Sequence, residues 1–174
     1  MVVSEPTATT VDDDVSRSAA IIVGSPPPTR IGHYVVLGLL GRGGMGDVYL
    51  AFDEMLERQV AIKLLTRVTG TTHLSDRLQQ EALALARLTH PNVVAIHEVG
   101  VSAGLMYLVM ERVEGATLRS WLSERPHSCD EVLAVMLQAG HGLAAAHAAG
   151  LIHRDFKPDN VMIGADGRVR VMDF

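Results

Sequence analysis

A single cysteine among 174 residues, Cys129, has no partner for an intramolecular disulfide, so folding does not depend on an oxidising compartment. Basic side chains are also scarce. Fifteen Lys and Arg stand against twenty Asp and Glu, a net charge of −5, which offers no electrostatic footprint for nucleic acid. No uncharged apolar run reaches the length a bilayer demands. Asp12, Asp13 and Asp14 sit where a secretory leader would carry a basic segment followed by an apolar one, so no leader is expected. The eight histidines include no H-E-x-x-H motif and no i, i+4 pair, which leaves no histidine metal site to argue for. No internal repeat is visible. These exclusions point to a soluble, cytoplasmic protein. With 48% hydrophobic residues it has ample material for a core, and its length fits one domain or two small lobes.

Residues 1–30 differ from the rest. They hold eight Ser or Thr, the acidic triplet and the run Pro26-Pro27-Pro28. Such a segment buries too little to offset its ordering entropy, and a disordered tail is expected. From Tyr34 onward the pattern becomes strand-like, over residues 34–40, 47–52 and 59–65. Residues 75–89 read as a helix, with Leu78, Ala82, Leu85 and Leu88 on one stripe and Pro91 as its stop. Strand composition returns over residues 93–101 and 105–111. Beyond it, residues 117–122 suggest a short helix. Ser128 and Glu131 form a capping-box pair at the head of a longer one. Its stripe is Val132, Met136, Ala139, Leu143 and Ala146, and Gly150 suits its end. Two short strands, 161–163 and 169–172, flank the turn-forming run Gly164-Ala165-Asp166-Gly167.

Three groups of residues carry chemistry. Gly41-Arg42-Gly43-Gly44-Met45-Gly46-Asp47-Val48 lies between two predicted strands. Glycines let a backbone approach a phosphate and turn its N–H groups towards it, although glycine hairpins also arise for steric reasons alone. A dinucleotide fold would need a helix after the glycines. Strand on both sides points instead to a flap over nucleotide phosphates. Lys63 ends the apolar strand Val60-Ala61-Ile62, seventeen residues after Gly46. It is either a snorkelling edge residue or a point charge for phosphates, held by a carboxylate such as Glu81. Glu81 in turn is either that partner or an ordinary solvated glutamate. The octet His153-Arg154-Asp155-Phe156-Lys157-Pro158-Asp159-Asn160 is the strongest signal. Asp155 can accept a hydroxyl proton, Lys157 can neutralise a phosphoryl group, and Asn160 offers an oxygen to a metal. Asp173, thirteen residues later across a hairpin, offers a second and anionic one. Oxygen ligands of this kind suit Mg²⁺.

In this order and spacing, the motifs from Tyr34 to Phe174 resemble a protein kinase of the serine/threonine type. The likeness is greatest to bacterial kinases with an L-G-R-G-G-M-G-x-V-Y flap, here Leu40 to Tyr49. The resemblance implies an α+β, protein-kinase-like fold. A β-rich N-lobe with one helix (34–111) would join through a hinge (111–115) to the first part of a helical C-lobe (116–174). It implies ATP and Mg²⁺ as cofactors and a protein as substrate. Gly41, Gly43, Gly44 and Gly46 would cover the phosphates, Leu40 would contact the nucleotide beside them, and Lys63 would pair with Glu81. Met110 would stand as gatekeeper before Glu111 and Val113, whose backbone would bind adenine between Val48, Ala61 and Met162. Asp155 would be the catalytic base and Lys157 its phosphate contact. Asn160 and Asp173 would hold the metal.

The sequence stops after Asp173-Phe174, inside the D-F-G motif of that family. Three expectations follow. The metal geometry of Asp173 should fray, the helix that begins near Cys129 should expose apolar surface, and the isolated chain should transfer little phosphate. The alternative is a non-catalytic nucleotide-binding or interaction fragment, a truncated remnant. The retention of every catalytic side chain favours kinase ancestry.

Overall fold

A computed structural model describes residues 27–44, 46–65, 80 and 82–174. Most of the tail expected over residues 1–30 lies outside the described residues, as does Glu81. So do residues 75–79 of the helix expected over 75–89, of which residues 80 and 82–86 are helical (α1). The helix ends before Pro91 by tightening: Arg87 N–H donates to Ala84 and Leu88 N–H to Leu85, three residues back.

Two units are built around separate cores. The first is an antiparallel sheet of β1 (Arg30–Ile31), β2 (Tyr34–Gly43), β3 (Gly46–Asp53), β4 (Arg58–Leu64), β5 (Ile96–Ser102) and β6 (Leu105–Glu111), in the order β1-β2-β3-β4-β6-β5. Strand alternation divides its residues between two faces. Tyr49, Ala51, Val60, Ile62, Leu64, Tyr107 and Val109 fill one core with Ile31 and Tyr34. Register places Val48 opposite Lys63, Lys63 opposite Leu108, and Ala61 opposite Met110. These residues share the opposite face, so the lysine points away from the core that its own strand builds.

The second unit holds α2 (Leu118–Glu124), α3 (Cys129–Ala148), a single 3-10 turn (Pro158–Asn160) and the three-stranded sheet β7 (Gly115–Thr117), β8 (Val161–Gly164) and β9 (Val169–Val171). Ser128 and Glu131 close the expected capping box at the head of α3, with bonds of 3.2 and 2.7 Å. Gly150, at φ 77°, ends it by a turn in which Leu151 N–H returns to Ala146 O. Leu118, Val135, Ala139, Val161, Val169 and Val171 form the second core.

Two sequence expectations need correction, and one strand was missed. The strand expected over 93–101 is divided. Val93 and Val94 are buried and join β9 instead, by a parallel bridge and a Val94 N–H bond to Val171 O at 2.9 Å. Strand β7 went unrecognised because three residues carry too little pattern. On α3 the buried stripe runs through Val135, Ala139, Gly142 and Ala146, and Met136 lies exposed with Leu133 and Leu137. The helix is apolar on more than one face, and no described element covers the second. Among the described residues no helix is long and apolar enough to cross a membrane.

Candidate active site

The hairpin between β2 and β3 closes where Gly43 pairs with Gly46, after two register shifts in β2. Gly46 has φ 146°, and a Cβ there would lie 2.1 Å from the Leu64 carbonyl oxygen. Only glycine lets the flap strand lie that close to the end of β4. At Gly41 and Gly44 an added Cβ would meet nothing within 4 Å, so open space borders the backbone there.

Below the flap, Lys63 is mostly buried, and its Nζ contacts Asp173 Oδ1 at 2.9 Å. Asp173 takes φ 61°, a left-handed conformation that is rare for a residue with a side chain. Its two neighbours hold it there. His153, itself buried, makes a 2.9 Å bond through Nε2 to the Met172 carbonyl, and Met172 N–H donates to Asn160 O at 2.9 Å. Phe174 packs on the second core and stands 4.7 Å from the His153 ring. These contacts brace the backbone on both sides of Asp173.

The loop from His153 to Asn160 is braced in turn. Asn160 is buried, and its Nδ2 donates to the Asp155 carbonyl at 2.9 Å, which leaves Oδ1 as its acceptor atom. Lys157 Nζ lies 2.6 Å from Asp155 Oδ2. The hydrogen bond from Lys157 is the main cause that holds the Asp155 carboxyl below the usual carboxylate range. The same bond raises the Lys157 ammonium above its ordinary value. Asp155 is thus an ionised, exposed carboxylate, able to accept both a hydrogen bond and a proton.

These groups border one cleft of about 550 Å³, lined by Gly41, Gly43, Gly44, Gly46, Val48, Lys63, Asp155, Lys157, Asn160 and Asp173. Ten of the expected site residues meet there, from four stretches of chain (41–48, 63, 155–160 and 173). Arg42, Asp159 and Met172 line it too. Sequence reasoning did not single them out, although Met172 immediately precedes Asp173. Leu40, Ala61, Glu111, Val113 and Met162 are not among the residues that line this cleft. Met110 borders a smaller cavity of about 50 Å³ with Lys63, Leu85, Ile96, Leu108 and Phe174.

The chemistry of the lining suits a Mg²⁺-bound polyphosphate. Two ammonium groups and open glycine backbone offer positive charge, while Asn160 and Asp173 offer a neutral and an anionic oxygen. Among the described residues no group of three or more His, Cys, Asp or Glu could hold a metal ion. A cation here would complete its shell from phosphate and water, as Mg²⁺ does with nucleotides.

The protein kinase domain family matches residues 34–174. The serine/threonine-protein kinase PknE of Mycobacterium bovis is 40% identical over 148 residues, 84% of this chain and 26% of that protein. PrkC of Bacillus subtilis is 39% identical, covering 82% of this chain and 22% of the relative. The PknI kinase domain of Mycobacterium tuberculosis superposes with a TM-score of 0.71 at 31% identity, over 83% of this chain and 60% of that structure. The chain spans about a quarter of the length of the curated relatives it matches.

Proposed function

Since this chain belongs to the protein kinase family, we propose that it carries the nucleotide-binding and catalytic-loop portion of a bacterial serine/threonine kinase, which transfers the γ-phosphoryl group of ATP to protein hydroxyls. Residues 34–111 are its N-lobe, 111–115 the hinge, and 116–174 part of its C-lobe. The supporting observation is the single cleft that gathers the flap glycines, Lys63, Asp155, Lys157, Asn160 and Asp173.

In this reading Gly41 to Gly46 lay backbone N–H groups over the phosphates, and Lys63 gives up Asp173 to contact them. Glu81 is the carboxylate that then steadies the lysine. Leu40, Val48, Ala61 and Met162 enclose adenine beside the gatekeeper Met110, with the backbone of Glu111 and Val113 as its hydrogen-bonding edge. Asn160 and Asp173 would hold Mg²⁺, which when bound neutralises phosphate charge and orients the transferred group. Asp155 takes up the proton of the attacking hydroxyl. Lys157, already 2.6 Å from that carboxylate, balances charge on the phosphoryl group. The segment acts where ATP and Mg²⁺ are abundant, in the cytoplasm, on a protein substrate. With a net charge of −5, nucleic acid is not among its partners. No catalytic side chain has been lost, so nothing favours the reading as a non-catalytic remnant.

Calorimetric titration of the chain with Mg·ATP tests this. Binding is expected, weakened roughly ten- to a hundredfold by Lys63→Met, the equivalent of one lost charge-assisted contact. Absence of binding by the unaltered chain overturns the reading. Phosphorylation of a generic protein substrate, with Asp155→Asn as control, tests transfer separately: little is expected of these 174 residues, and turnover that vanishes in the variant would show that they suffice for it.

A further inference from the structure

The strand β9 places a guanidinium where a short apolar strand would ordinarily carry valine. Val169 and Val171 belong to the second core, and Arg170 between them points to the other face. There it is only 4% exposed. Arginine is buried to that degree only when its donors are paired, and these are. Nη1 and Nη2 grip Asp166 at 3.1 and 2.7 Å, and Nη1 also reaches the Arg168 carbonyl at 3.4 Å. Nε is left for Glu111 Oε1 at 3.1 Å. Gly164 makes the room: a Cβ there would sit 2.4 Å from Asp166 Oδ1 and 2.8 Å from Arg170 Nη1.

Glu111 is the last residue of β6 and the first of the segment joining the two units. Its N–H donates to Ala95 O at 2.8 Å, while its side chain turns to the second unit. Three residues further on, Ala165 N–H donates to Glu114 O at 2.7 Å. The connecting segment is thus held from behind at both ends by the β8–β9 hairpin. Arg170 does not line the cleft, so whatever it does there it does through Glu111.

We propose that Arg170 is a positioning residue for the base end of the nucleotide. Its buried bond to Glu111 fixes the backbone of residues 111–113, the edge against which adenine would lie. The inference rests on the nucleotide-binding reading above and adds to it a determinant outside the cleft.

The test titrates Mg·ATP and Mg·tripolyphosphate, separately, into the 174-residue chain and its Arg170→Met variant. Tripolyphosphate offers the phosphates without the base. Arg170→Met is expected to weaken ATP about tenfold, the fold-change of one lost charge-assisted bond, and to leave tripolyphosphate unchanged. Arg170→Lys, which keeps the charge but not the fork, is expected to recover only part of the ATP affinity. Equal ATP affinity in Arg170→Met and the unaltered chain overturns the proposal while leaving nucleotide binding intact. So does an equal loss for both ligands, which marks general damage. Should Arg170→Met fail to fold, the double variant Glu111→Gln/Arg170→Met removes the stranded buried carboxylate, and the same selective loss is required of it. Failure of the unaltered chain to bind ATP refutes the nucleotide reading itself.

Discussion

Exchanging Asn160 for aspartate swaps one nitrogen for an oxygen of similar size and reverses a hydrogen bond. In the native loop Nδ2 donates to the Asp155 carbonyl at 2.9 Å and stands 3.4 Å from its Oδ2, in a residue only 6% exposed. A carboxylate there has no proton to give, and burial denies it water. Loss of the bond with its acceptor left behind costs about 1–3 kcal/mol. The two carboxylates also repel, by about 1 kcal/mol at the dielectric of water and about 4 kcal/mol at that of a protein surface. Asp155 is half exposed, which favours the lower part of that range. The expected penalty at neutral pH is therefore about 2–5 kcal/mol.

The pH dependence makes the prediction specific. Burial and the neighbouring carboxylate both raise the folded-state pKa of the introduced acid above its unfolded value of about 3.9. The folded state then binds that proton more tightly, so stability falls as pH rises through the interval and returns as pH drops. Lys157 keeps Asp155 itself below the usual range, so Asp155 stays ionised while the new acid takes up its proton. Protonated, the new group donates to the Asp155 carbonyl as the amide did. Urea-unfolding midpoints at about pH 7.5 and about pH 4.5 measure the difference. Asn160→Asp is expected to recover most of its loss at the lower pH, and Asn160→Ala none. A penalty for Asn160→Asp that ignores pH refutes the reasoning.

Two further outcomes are expected. Gly46→Ala forces a Cβ to within 2.1 Å of the Leu64 carbonyl, whereas Gly44→Ala meets open space. The first should therefore lose about 2–4 kcal/mol in thermal unfolding and weaken Mg·ATP, and the second should change stability by less than about 1 kcal/mol. Equal behaviour of the two would remove the steric role given to Gly46. Glu98 accepts from Tyr34 at 2.6 Å and from Tyr107 at 2.8 Å. Burial first, then the bond to Glu98, pushes the Tyr107 phenol up to about 12 and Tyr34 in the same direction. Phenols with a raised folded pKa stabilise below the unfolded value near 10, and that stability drains away as pH climbs towards 12. Phenolate absorbance should accordingly appear only with unfolding, and Glu98→Gln should bring it to lower pH.

Local pattern revealed the elements whose information is local. The alternation of Val60-Ala61-Ile62-Lys63-Leu64 separates a core face from a cleft face, and the Ser128 to Glu131 spacing announces the cap of α3. The glycines, Lys63 and the octet from His153 were legible because their chemistry is unusual for their positions. What escaped depended on distant partners. Val93 and Val94 have strand composition, and nothing nearby says that their backbone will join Val171 rather than continue β5. Val169-Arg170-Val171 reads as a strand, and nothing nearby says where its arginine will find a partner, because Glu111 lies far away along the chain. Met172 carries no chemistry that marks it in the sequence, and the bond of its carbonyl to His153 forms only once the loop from His153 has folded beside it.

The segment Asn92–Val94 has a mechanical consequence. It belongs to the connection between α1 and β5, yet its backbone is stitched to Val171, the Asn92 side chain to Val169, and the Asn92 carbonyl lies where any Cβ at position 142 would collide with it. Together with the covalent link after Glu111, this gives the two units a pair of backbone attachments, beside the side-chain ion pair of Lys63 with Asp173. Two rigid bodies pinned at two points keep one easy rotation, about the line through the pins, and resist twist and slide. Admission and release of a ligand should then proceed by a swing that lifts the glycine hairpin, with the floor beneath it almost still.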